Sequence, residues 1–342
     1  MENLREAFLR AARGKSSKMA VKEFRRNLDV NLRKIRKQIL ESEEDWGKYH
    51  FFTIYDPKKR IICAAPFPMR VLFHAIMRIC HPIFDNYQIH DSYASRKEKG
   101  QYKAIDRARQ FARKYQWYAK LDVCKYFDSI DHEVMYNLLA KLIKDTRLLA
   151  LFRSLIGGYH VEQGKGLPIG NLTSQYFANH YLAVSDHYVK EKMRVKGFVR
   201  YMDDMIVFAH TKKQIMQTVQ ELTGFIQSHL KLKLHDPVIN RTTFGIPFLG
   251  YVITDRHMRL SQRSRHRFKQ KTGVIRNELE VGIISREKYL MRRQCLCAFI
   301  RKADSEAFER IINQIKGLYP YGLQPCEPGR KLEQQRQELP CG

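Results

Sequence analysis

The sequence predicts a mixed α+β protein with an all-helical, basic module at its C-terminal side. The predicted elements run strand, helix, strand, then a β-hairpin and a further helix, an order typical of a sheet packed with helices. The stretch from Arg256 to Arg276 holds eight Lys or Arg residues and no acidic residue. Hydrophobic residues make up 44% of the chain and aromatic residues 11%, which is typical of a globular protein.

The first elements are helical and basic. Residues 1–45 carry apolar side chains at three- and four-residue steps among many Lys and Arg residues, which predicts two basic amphipathic helices. Residues 49–64 predict two strands joined at residues 56–59, where Asp and Pro favour a turn. Helical periodicity follows over residues 69–84.

The central region alternates strands and helices. WYAKLDV (117–123) predicts a strand, and residues 132–157 are helical in pattern. GFVRYMDDMIVFAH (197–210) consists of two β-rich runs around an acidic turn, which predicts a hairpin. Residues 211–230 form an amphipathic pattern, and Thr211 is suited to cap that helix.

The charge balance points to a polyanionic partner. The chain has 342 residues, with 62 Lys and Arg against 35 Asp and Glu, a formal net charge of +27. Self-repulsion of this size favours a partner that neutralises it, nucleic acid first and an anionic membrane surface second. The N-terminal helices are then either a solvated charged face or an arm that grips RNA backbone.

Other classes of protein do not fit the sequence. The start of the chain lacks the apolar run of a signal peptide, and no stretch is long and apolar enough to span a bilayer. Seven Cys residues contain no CxxC pair, which argues against a zinc knuckle and a secreted disulfide framework. We therefore expect a reducing, cytoplasmic location and no membrane partner.

Three acidic residues suggest a metal site. Asp203 and Asp204 lie at the turn of the predicted hairpin, and Asp122 ends another predicted strand. An isolated Asp-Asp pair at a turn is most simply turn chemistry. Three converging carboxylates, however, repel one another unless divalent cations neutralise them, and hard oxygen ligands suit Mg²⁺. In so basic a chain, such a site indicates nucleotidyl transfer to or along a nucleic acid.

Four motifs carry a resemblance to a known family. YMDD (201–204) resembles the Tyr-x-Asp-Asp hairpin of reverse transcriptases, and LDVCKYFDSIDH (121–132) resembles their first catalytic motif. GLPIGNLTSQYFANHYL (166–182) is similar to the motif that holds template and incoming nucleotide, and FLGY (248–251) to the primer-grip turn. The motifs occur in the family's order, and the resemblance covers about residues 50–255.

The resemblance implies a right-hand polymerase fold with fingers, a palm built on an antiparallel sheet, and an α-helical thumb. The expected parts are a basic helical extension (1–48), fingers (49–118), a palm (119–255) with a helical segment at about 132–165, a thumb (256–320) and a flexible tail (321–342). The basic thumb would follow the phosphates of the template–primer duplex.

The resemblance also assigns catalytic residues. Asp122, Asp203 and Asp204, with the backbone carbonyl of Val123, would hold two Mg²⁺ ions, for which Mn²⁺ can substitute. A primer 3′-hydroxyl would then attack the α-phosphate of a dNTP. Phe127 would be the aromatic gate that excludes a ribose 2′-hydroxyl, because a ring under C2′ leaves no room for the oxygen.

Further residues would contact substrates. Arg60 with Lys58 would clamp the triphosphate, since guanidinium matches phosphate oxygens. Ile169, Gly170 and Gln175 would lie at the nascent base pair, with Gly170 allowing the backbone to approach the base or template closely. The template and primer would meet a further set of residues: Arg70, Arg96, Tyr201, Met202, Phe248, Leu249 and Gly250. Lys233 and His235 are the two candidates to protonate the leaving pyrophosphate, and neither is favoured.

One departure from the common pattern indicates a subfamily. Many relatives have Gln before this Gly and Ser-Pro after it, whereas this chain has Ile169 and Ser174-Gln175. This arrangement resembles reverse transcriptases of diversity-generating retroelements, which copy a template RNA with frequent errors at adenines. Ile cannot donate the hydrogen bonds of Gln, so selection of the correct base should be poorer.

That subfamily implies partners as well as an activity. They are a template RNA and its RNA–cDNA duplex, dNTPs, and a small basic oligomeric accessory protein, in a bacterial or phage-encoded system. The alternatives are a group II intron-like or retron/defence reverse transcriptase, and a non-catalytic RNA-binding relative. The intact Asp122, Asp203 and Asp204 argue against the last.

Overall fold

The computed structural model describes residues 1–41, 48–55 and 59–303. The chain divides into two compact units, Met1–Ser261 and Gln262–Gly342. In the described residues, no helix is long and apolar enough to cross a membrane.

The N-terminal segment forms three helices where two were predicted: α1 (Glu2–Ala12), α2 (Met19–Arg26) and α3 (Leu28–Leu40). Asn27 has a non-helical backbone (φ −120°, ψ 46°), and this breaks the second predicted helix into α2 and α3. The predicted apolar positions are buried; Phe8 and Phe24 stack at 5.7 Å and both meet Phe67 edge-on. The basic side chains lie mostly on the exposed face.

The predicted strand pair at 49–64 is confirmed as an antiparallel hairpin of β1 (His50–Ile54) and β2 (Arg60–Ala64). Two helices follow: α4 (Phe67–Tyr87), which contains the predicted helix 69–84, and α5 (Gln101–Lys114). Helix α4 is buried along much of its length and packs against α1, so the N-terminal helices share the main core.

The centre of the first unit is a four-stranded antiparallel sheet in the order β4-β5-β3-β6. Its strands are β3 (Trp117–Leu121), β4 (Phe198–Tyr201), β5 (Asp204–Ala209) and β6 (Val238–Arg241). The hairpin predicted at 197–210 is therefore confirmed as β4 and β5. β3 stops at Leu121, two residues before the predicted end, and Val123 continues only as an isolated bridge to Leu234.

Helices cover this sheet: α6 (Tyr126–Ser129), α7 (His132–Leu142), α8 (Thr146–Gly157), α9 (Leu172–His187) and α10 (Lys212–Leu230). The helix predicted over 132–157 is split in two, because the Asp145 carboxylate caps α8 by accepting from the amides of Arg147 and Leu148. Thr211 caps α10 as predicted, in a reciprocal capping box with Gln214. Between α9 and β4 lies a π-helical turn, Tyr188–Lys192.

The first unit ends in a small antiparallel sheet of β7 (Ile246–Phe248), β8 (Tyr251–Ile253) and β9 (Met258–Leu260). The second unit, as far as it is described, consists of α11 (Gln262–Glu280) and α12 (Arg286–Arg301). β9 belongs to the first unit, so the helical unit begins six residues after the predicted thumb boundary at 256. The part of the predicted thumb (256–320) after residue 303 and the predicted tail at 321–342 lie outside the described residues.

Candidate catalytic centre

The strand register brings two of the three predicted carboxylates together. Leu121 of β3 pairs with Met205 of β5. Continued by one residue, this antiparallel register places Asp122 opposite Asp204, at the distance of cross-strand neighbours, about 5 Å between Cβ atoms. Asp203 is the residue before Asp204, in the turn. The sheet therefore assembles Asp122, Asp203 and Asp204 at one end of its two central strands.

The turn that carries Asp203 has a tight backbone. Tyr201 pairs with Asp204, so Met202 and Asp203 form a two-residue connection. Met202 has a φ of 56°, a left-handed conformation that glycine adopts more readily than a residue with a side chain. Such backbone strain persists where surrounding contacts hold it, and it is common at functional sites.

The electrostatics of the site show that the carboxylates act on one another. Burial raises the pKa of Asp203 to about 6, and the negative charges of Asp122 and Asp204 add to this rise. The Asp203 backbone amide and the Arg60 guanidinium oppose it. Arg60, on the hairpin of β1 and β2, thus lies within electrostatic range of a carboxylate on the palm sheet. Strand β2 thus brings a positive charge near the acidic turn.

Lys120 is a site residue that the sequence analysis did not select. Its ammonium lies 2.9 Å from a carboxylate oxygen of Asp204, with both side chains about a quarter exposed. Lys120 and Asp122 are two apart on one strand, so their side chains leave the same face. In the sequence, Lys120 could have been found as a charged residue that interrupts the apolar pattern of this strand. This cation offsets part of the repulsion among the three carboxylates.

The donor set suits a hard divalent cation that keeps part of its water shell. Within the described residues, no group of three or more His, Cys, Asp or Glu side chains is arranged to hold a metal ion on its own. Mg²⁺ usually takes one or two carboxylates and completes its shell with water and substrate phosphates, so an open set of carboxylate oxygens fits it. Burial raises the pKa of Asp203, and the charges of Asp122 and Asp204 add to that rise, so a cation that offsets these costs would stabilise the ionised site.

The backbone at Val123 is oriented toward this site. The Asp122 carbonyl accepts from the His235 amide at 2.9 Å, and the Cys124 amide donates to the Lys233 carbonyl at 2.8 Å. Because backbone groups alternate along a strand, the Val123 carbonyl points to the opposite edge, where β5 lies. The same segment presents the side chains of Lys233 and His235 to solvent.

Arg200 is the second functional residue that the sequence analysis missed. It directly precedes the acidic turn, is fully buried, and its guanidinium donates to both carboxylate oxygens of Asp186, which is also fully buried. It also donates to the side-chain oxygens of Asn179 at 2.8 Å and Gln88 at 3.1 Å. A further donor reaches the carbonyl of Met202 at 2.9 Å. Arg200 therefore ties the strained turn to α9 and α4.

The predicted nucleotide-site residues lie around the same turn and fingers hairpin. Phe127 is half-buried against the core, with its ring 5.7 Å from that of Tyr126. The Ile169 carbonyl accepts from the Cys63 amide at 2.9 Å. Gly170 has a φ of 109°, and an added Cβ would lie 2.9 Å from Cγ2 of Ile62. The close approach that requires glycine is thus to strand β2, whereas the prediction placed it at a base or template.

The other predicted nucleotide contacts are exposed. Arg60 and Lys59 lie at the surface of the hairpin, and Lys58 lies outside the described residues. Gln175 is exposed at the start of α9, and its side-chain oxygen accepts from the Ser95 hydroxyl at 3.5 Å. Among the described members of this group, Arg60 has the interaction that links it to the carboxylates.

The predicted template and primer residues divide into surface and structural positions. Tyr201 and Met202 are half-buried in the acidic turn. Arg70 donates to the Ala65 carbonyl at 2.9 Å. Arg96 donates to Asp85 at 2.7 Å and to the carbonyls of Ile89, Ser92 and Asp85. Its guanidinium is thus engaged within the fold, which argues against the predicted contact with nucleic acid.

The predicted primer-grip turn is formed by residues with left-handed backbone. Leu249 has a φ of 47° and Gly250 a φ of 90°, and they connect β7 to β8. Phe248 is almost fully buried, so its side chain belongs to the core of this small sheet, and its contact with the primer stays a prediction. The Gln101 side chain donates to the Leu249 carbonyl at 2.8 Å, which anchors the turn to α5.

Comparison with known families identifies the class. Residues 53–253 match the family described as "Reverse transcriptase (RNA-dependent DNA polymerase)". The match covers more than half of the chain, and it contains the acidic turn and the fingers hairpin from Thr53 onward. The chain belongs to the reverse transcriptase family.

Individual relatives are more distant. The chain is 23% identical over 254 residues to Protein YkfC of Escherichia coli, covering 61% of this chain and 65% of that protein. It is 22% identical over 269 residues to a putative COX1/OXI3 intron 2 protein of Saccharomyces cerevisiae, covering 60% of this chain and 30% of that protein. The chain thus spans less than two thirds of the length of either relative.

A solved structure confirms the predicted fold class. The apo telomerase of Candida tropicalis matches with a TM-score of 0.50 and 11% sequence identity, over 65% of this chain and 50% of that one. At this identity the likeness concerns the fold alone. Together with the family match, it confirms the mixed α+β right-hand fold that the motifs implied.

Proposed function

We propose that the chain is an RNA-directed DNA polymerase that makes cDNA from a template RNA by two-metal nucleotidyl transfer. The observation that carries the proposal is the convergence of Asp122, Asp203 and Asp204 at one end of the central strands, with Arg60 within electrostatic range. A family member that had lost catalysis would not need to retain three mutually repelling carboxylates.

The residues of the site would have separate roles in phosphoryl transfer. Asp122, Asp203 and Asp204, with the Val123 carbonyl, would hold Mg²⁺, which supplies Lewis-acid stabilisation of the attacking and leaving oxygens when bound. Arg60 would neutralise the triphosphate of a dNTP, and its electrostatic effect on Asp203 supports this role. Lys120 holds Asp204 by an ion pair and limits the repulsion in the site. Phe127 would pack under the sugar and exclude a 2′-hydroxyl.

The proposed biological role is mutagenic copying in a diversity-generating retroelement. It is supported by Ile169, whose apolar side chain follows the buried Leu167-Pro168 and precedes the glycine against β2. An Ile here cannot give the nascent base pair the hydrogen bonds of a Gln. The proposed partners are the template RNA, the RNA–cDNA duplex, dNTPs and a small basic oligomeric accessory protein.

A second candidate role is that of an intron-type reverse transcriptase. A specific observation favours it: a yeast relative is named as an intron protein, and another partial match, 30% identical over 88 residues, is the nuclear intron maturase 1 of Arabidopsis thaliana. Both roles use the same chemistry at the same carboxylates. They differ in fidelity and in the RNA that is copied.

Primer extension on an RNA template with Mg²⁺ and dNTPs, followed by sequencing of the products, tests the activity and separates the roles. The control is Asp203→Asn, which removes a carboxylate and keeps the size of the side chain. Extension that the control lacks, with errors concentrated opposite template adenines, supports the mutagenic role. Accurate extension supports the intron-type role. Absence of extension, even with cognate RNA and accessory protein, would overturn the polymerase proposal.

Ile169→Gln tests the specific basis of the mutagenic role. The variant regains an amide at the nascent base pair, so misincorporation should fall while extension continues. Ile169→Leu is the matched control, because it keeps the apolar character and should leave the error rate unchanged. An error rate that is the same in wild type and Ile169→Gln would remove Ile169 from the explanation of fidelity.

A further inference from the structure

A groove rich in cations lies on the first unit away from the acidic turn. It has a volume of about 680 Å³ and is bordered by α5 and by the segment that leads from the π-helical turn into β4. Its charged lining consists of Asp91, Arg107, Lys114, Lys190, Arg194 and Lys196. Residues 196–201, which separate the groove from the acidic turn, span about 16 Å at roughly 3.3 Å per residue of strand.

The one carboxylate of this lining is already neutralised. Asp91 is buried, and it pairs with Arg107 at 2.8 Å and with Lys190 at 2.9 Å. Although burial raises the pKa of Asp91, the hydrogen bonds from these two cations outweigh it and lower that pKa below its usual value. The Asp91 carboxylate is therefore already paired and does not neutralise the other cations of the groove.

Three cations are left for a ligand. Lys114, Arg194 and Lys196 are exposed, and among the described residues none of them lies within ion-pair distance of a carboxylate. The groove thus presents three like charges on neighbouring segments. Such an arrangement is unfavourable unless an anion or solvent neutralises it.

The backbone holds these cations in an unusual geometry. Arg194 has a φ of 54°, a left-handed conformation uncommon for a residue with a long side chain. It follows a π-helical turn, and π-helical turns occur frequently at functional sites. The Lys190 ammonium donates to the Lys196 carbonyl at 2.8 Å, and the Val195 amide to the Val189 carbonyl at 3.0 Å. These bonds keep the strained segment, and so the three cations, beside α5.

We propose that this groove binds consecutive phosphates of an RNA backbone, outside the catalytic centre. The apolar floor consists of Phe111 and Tyr115, both more than nine-tenths buried. Arg107 lies 4.3 Å from the Phe111 ring centre and Lys114 5.8 Å from that of Tyr115. With the rings covered, bases have no aromatic face to stack on. The contact is therefore to phosphates and independent of base sequence.

The salt dependence of RNA binding tests the proposal without any catalytic step. The groove variant is Lys114→Gln, Arg194→Gln and Lys196→Gln combined, and the probe is a long fluorescein-labelled oligo(U) RNA followed by anisotropy. Each phosphate contact to single-stranded RNA contributes about 0.7 to the slope of log affinity against log salt, so the slope should fall by about 2. Affinity at about 0.15 M salt should then fall roughly 50-fold.

The matched control removes the same charges elsewhere. Lys141→Gln, Arg147→Gln and Lys213→Gln together also change two Lys and one Arg, all exposed and outside the groove. This variant should keep a slope within about 0.5 of the wild type. An equal loss of slope in both variants would overturn the proposal, because net charge alone would then explain it. The measurement is repeated in the Asp203→Asn protein, so that RNA binding by the groove is tested separately from polymerase activity.

A second measurement covers the case in which the groove variant is misfolded. Acetylation of surface lysines in the wild-type protein is followed by mass spectrometry, with and without the oligo(U) RNA. Lys114 and Lys196 should lose reactivity when RNA is present, while Lys141 and Lys213 stay reactive. The same protection by inorganic phosphate would assign the groove to a free anion and overturn the RNA assignment. Full reactivity of Lys114 and Lys196 with RNA bound would overturn the site altogether.

Discussion

Replacing Arg200 by Met tests how the strained acidic turn is held in place. The guanidinium and the Asp186 carboxylate are both fully buried and hydrogen-bonded to each other. Arg200→Met leaves the carboxylate buried without its cation. Removing one partner of a buried ion pair costs about 3–5 kcal/mol, so the free energy of unfolding should fall by about that amount.

The double variant Arg200→Met with Asp186→Leu separates stability from positioning. Replacing both members of a buried ion pair by apolar residues is often neutral or stabilising, so most of the lost stability should return. The carbonyl of Met202 still lacks the donor that Arg200 places 2.9 Å away. Since one hydrogen bond contributes about 1 kcal/mol net and about 1.4 kcal/mol is tenfold in rate, kcat should stay about fivefold low.

The assay combines urea unfolding with steady-state primer extension. The expected result for the double variant is near wild-type stability, reduced kcat and an unchanged KM for dNTP, because the affected group lies in the turn that carries Asp203. Arg200→Lys is the conservative comparison; it keeps the charge but loses the planar guanidinium, whose separate nitrogens reach Asp186 and the Met202 carbonyl at the same time. Full recovery of kcat in the double variant would refute the positioning role.

Three further perturbations follow from the structure. Phe127→Ala should raise the kcat/KM for ribonucleotides relative to dNTPs about tenfold or more, because relieving a steric clash of about 1.4 kcal/mol changes the rate tenfold. Phe127→Tyr keeps the ring and should leave this ratio unchanged. Gly170→Ala should destabilise the protein by about 1–3 kcal/mol in urea unfolding, because a Cβ meets Ile62 at a φ of 109°. Burial lowers the pKa of His180 to about 4. As the pH falls, this imidazole is therefore protonated in the unfolded chain before it is protonated in the folded protein. The free energy of unfolding should fall by about 3 kcal/mol as the pH drops from about 6.5 to 4. His180→Gln should flatten that dependence.

Each of these has a result that would contradict it. An unchanged ribonucleotide preference in Phe127→Ala would remove the residue from sugar selection. If Gly170→Ala unfolds at the wild-type urea concentration, the contact with β2 is not tight. If His180→Gln loses as much stability as the wild type between pH 7 and about 4, other groups than the imidazole govern acid unfolding.

Local sequence pattern was sufficient for much of the catalytic centre. The hairpin around Asp203 and Asp204, the strand that leads to Asp122 and the cap at Thr211 were all predicted, and the structure confirms these elements. These features depend on neighbours within a few residues: alternation of apolar side chains, turn-forming acids and a capping hydroxyl. Helix ends were less well predicted, as the break at Asn27 shows, because a single backbone conformation decides them.

The contacts that hold the acidic turn and the groove in place were visible only in the tertiary structure. Arg200 precedes the acidic turn in sequence, yet its partners lie as far away as Gln88, the residue after α4, 112 residues earlier. Lys190 meets Asp91 across 99 residues. Sequence alone predicted which residues would bear the chemistry, since the carboxylates of Asp122, Asp203 and Asp204 stand out by residue type and local pattern. The packing of α4, α5 and α9 on the sheet decided which cations neutralise a carboxylate, which anchor the acidic turn and which stay free. Only packing sets the distances between residues that are far apart in the chain.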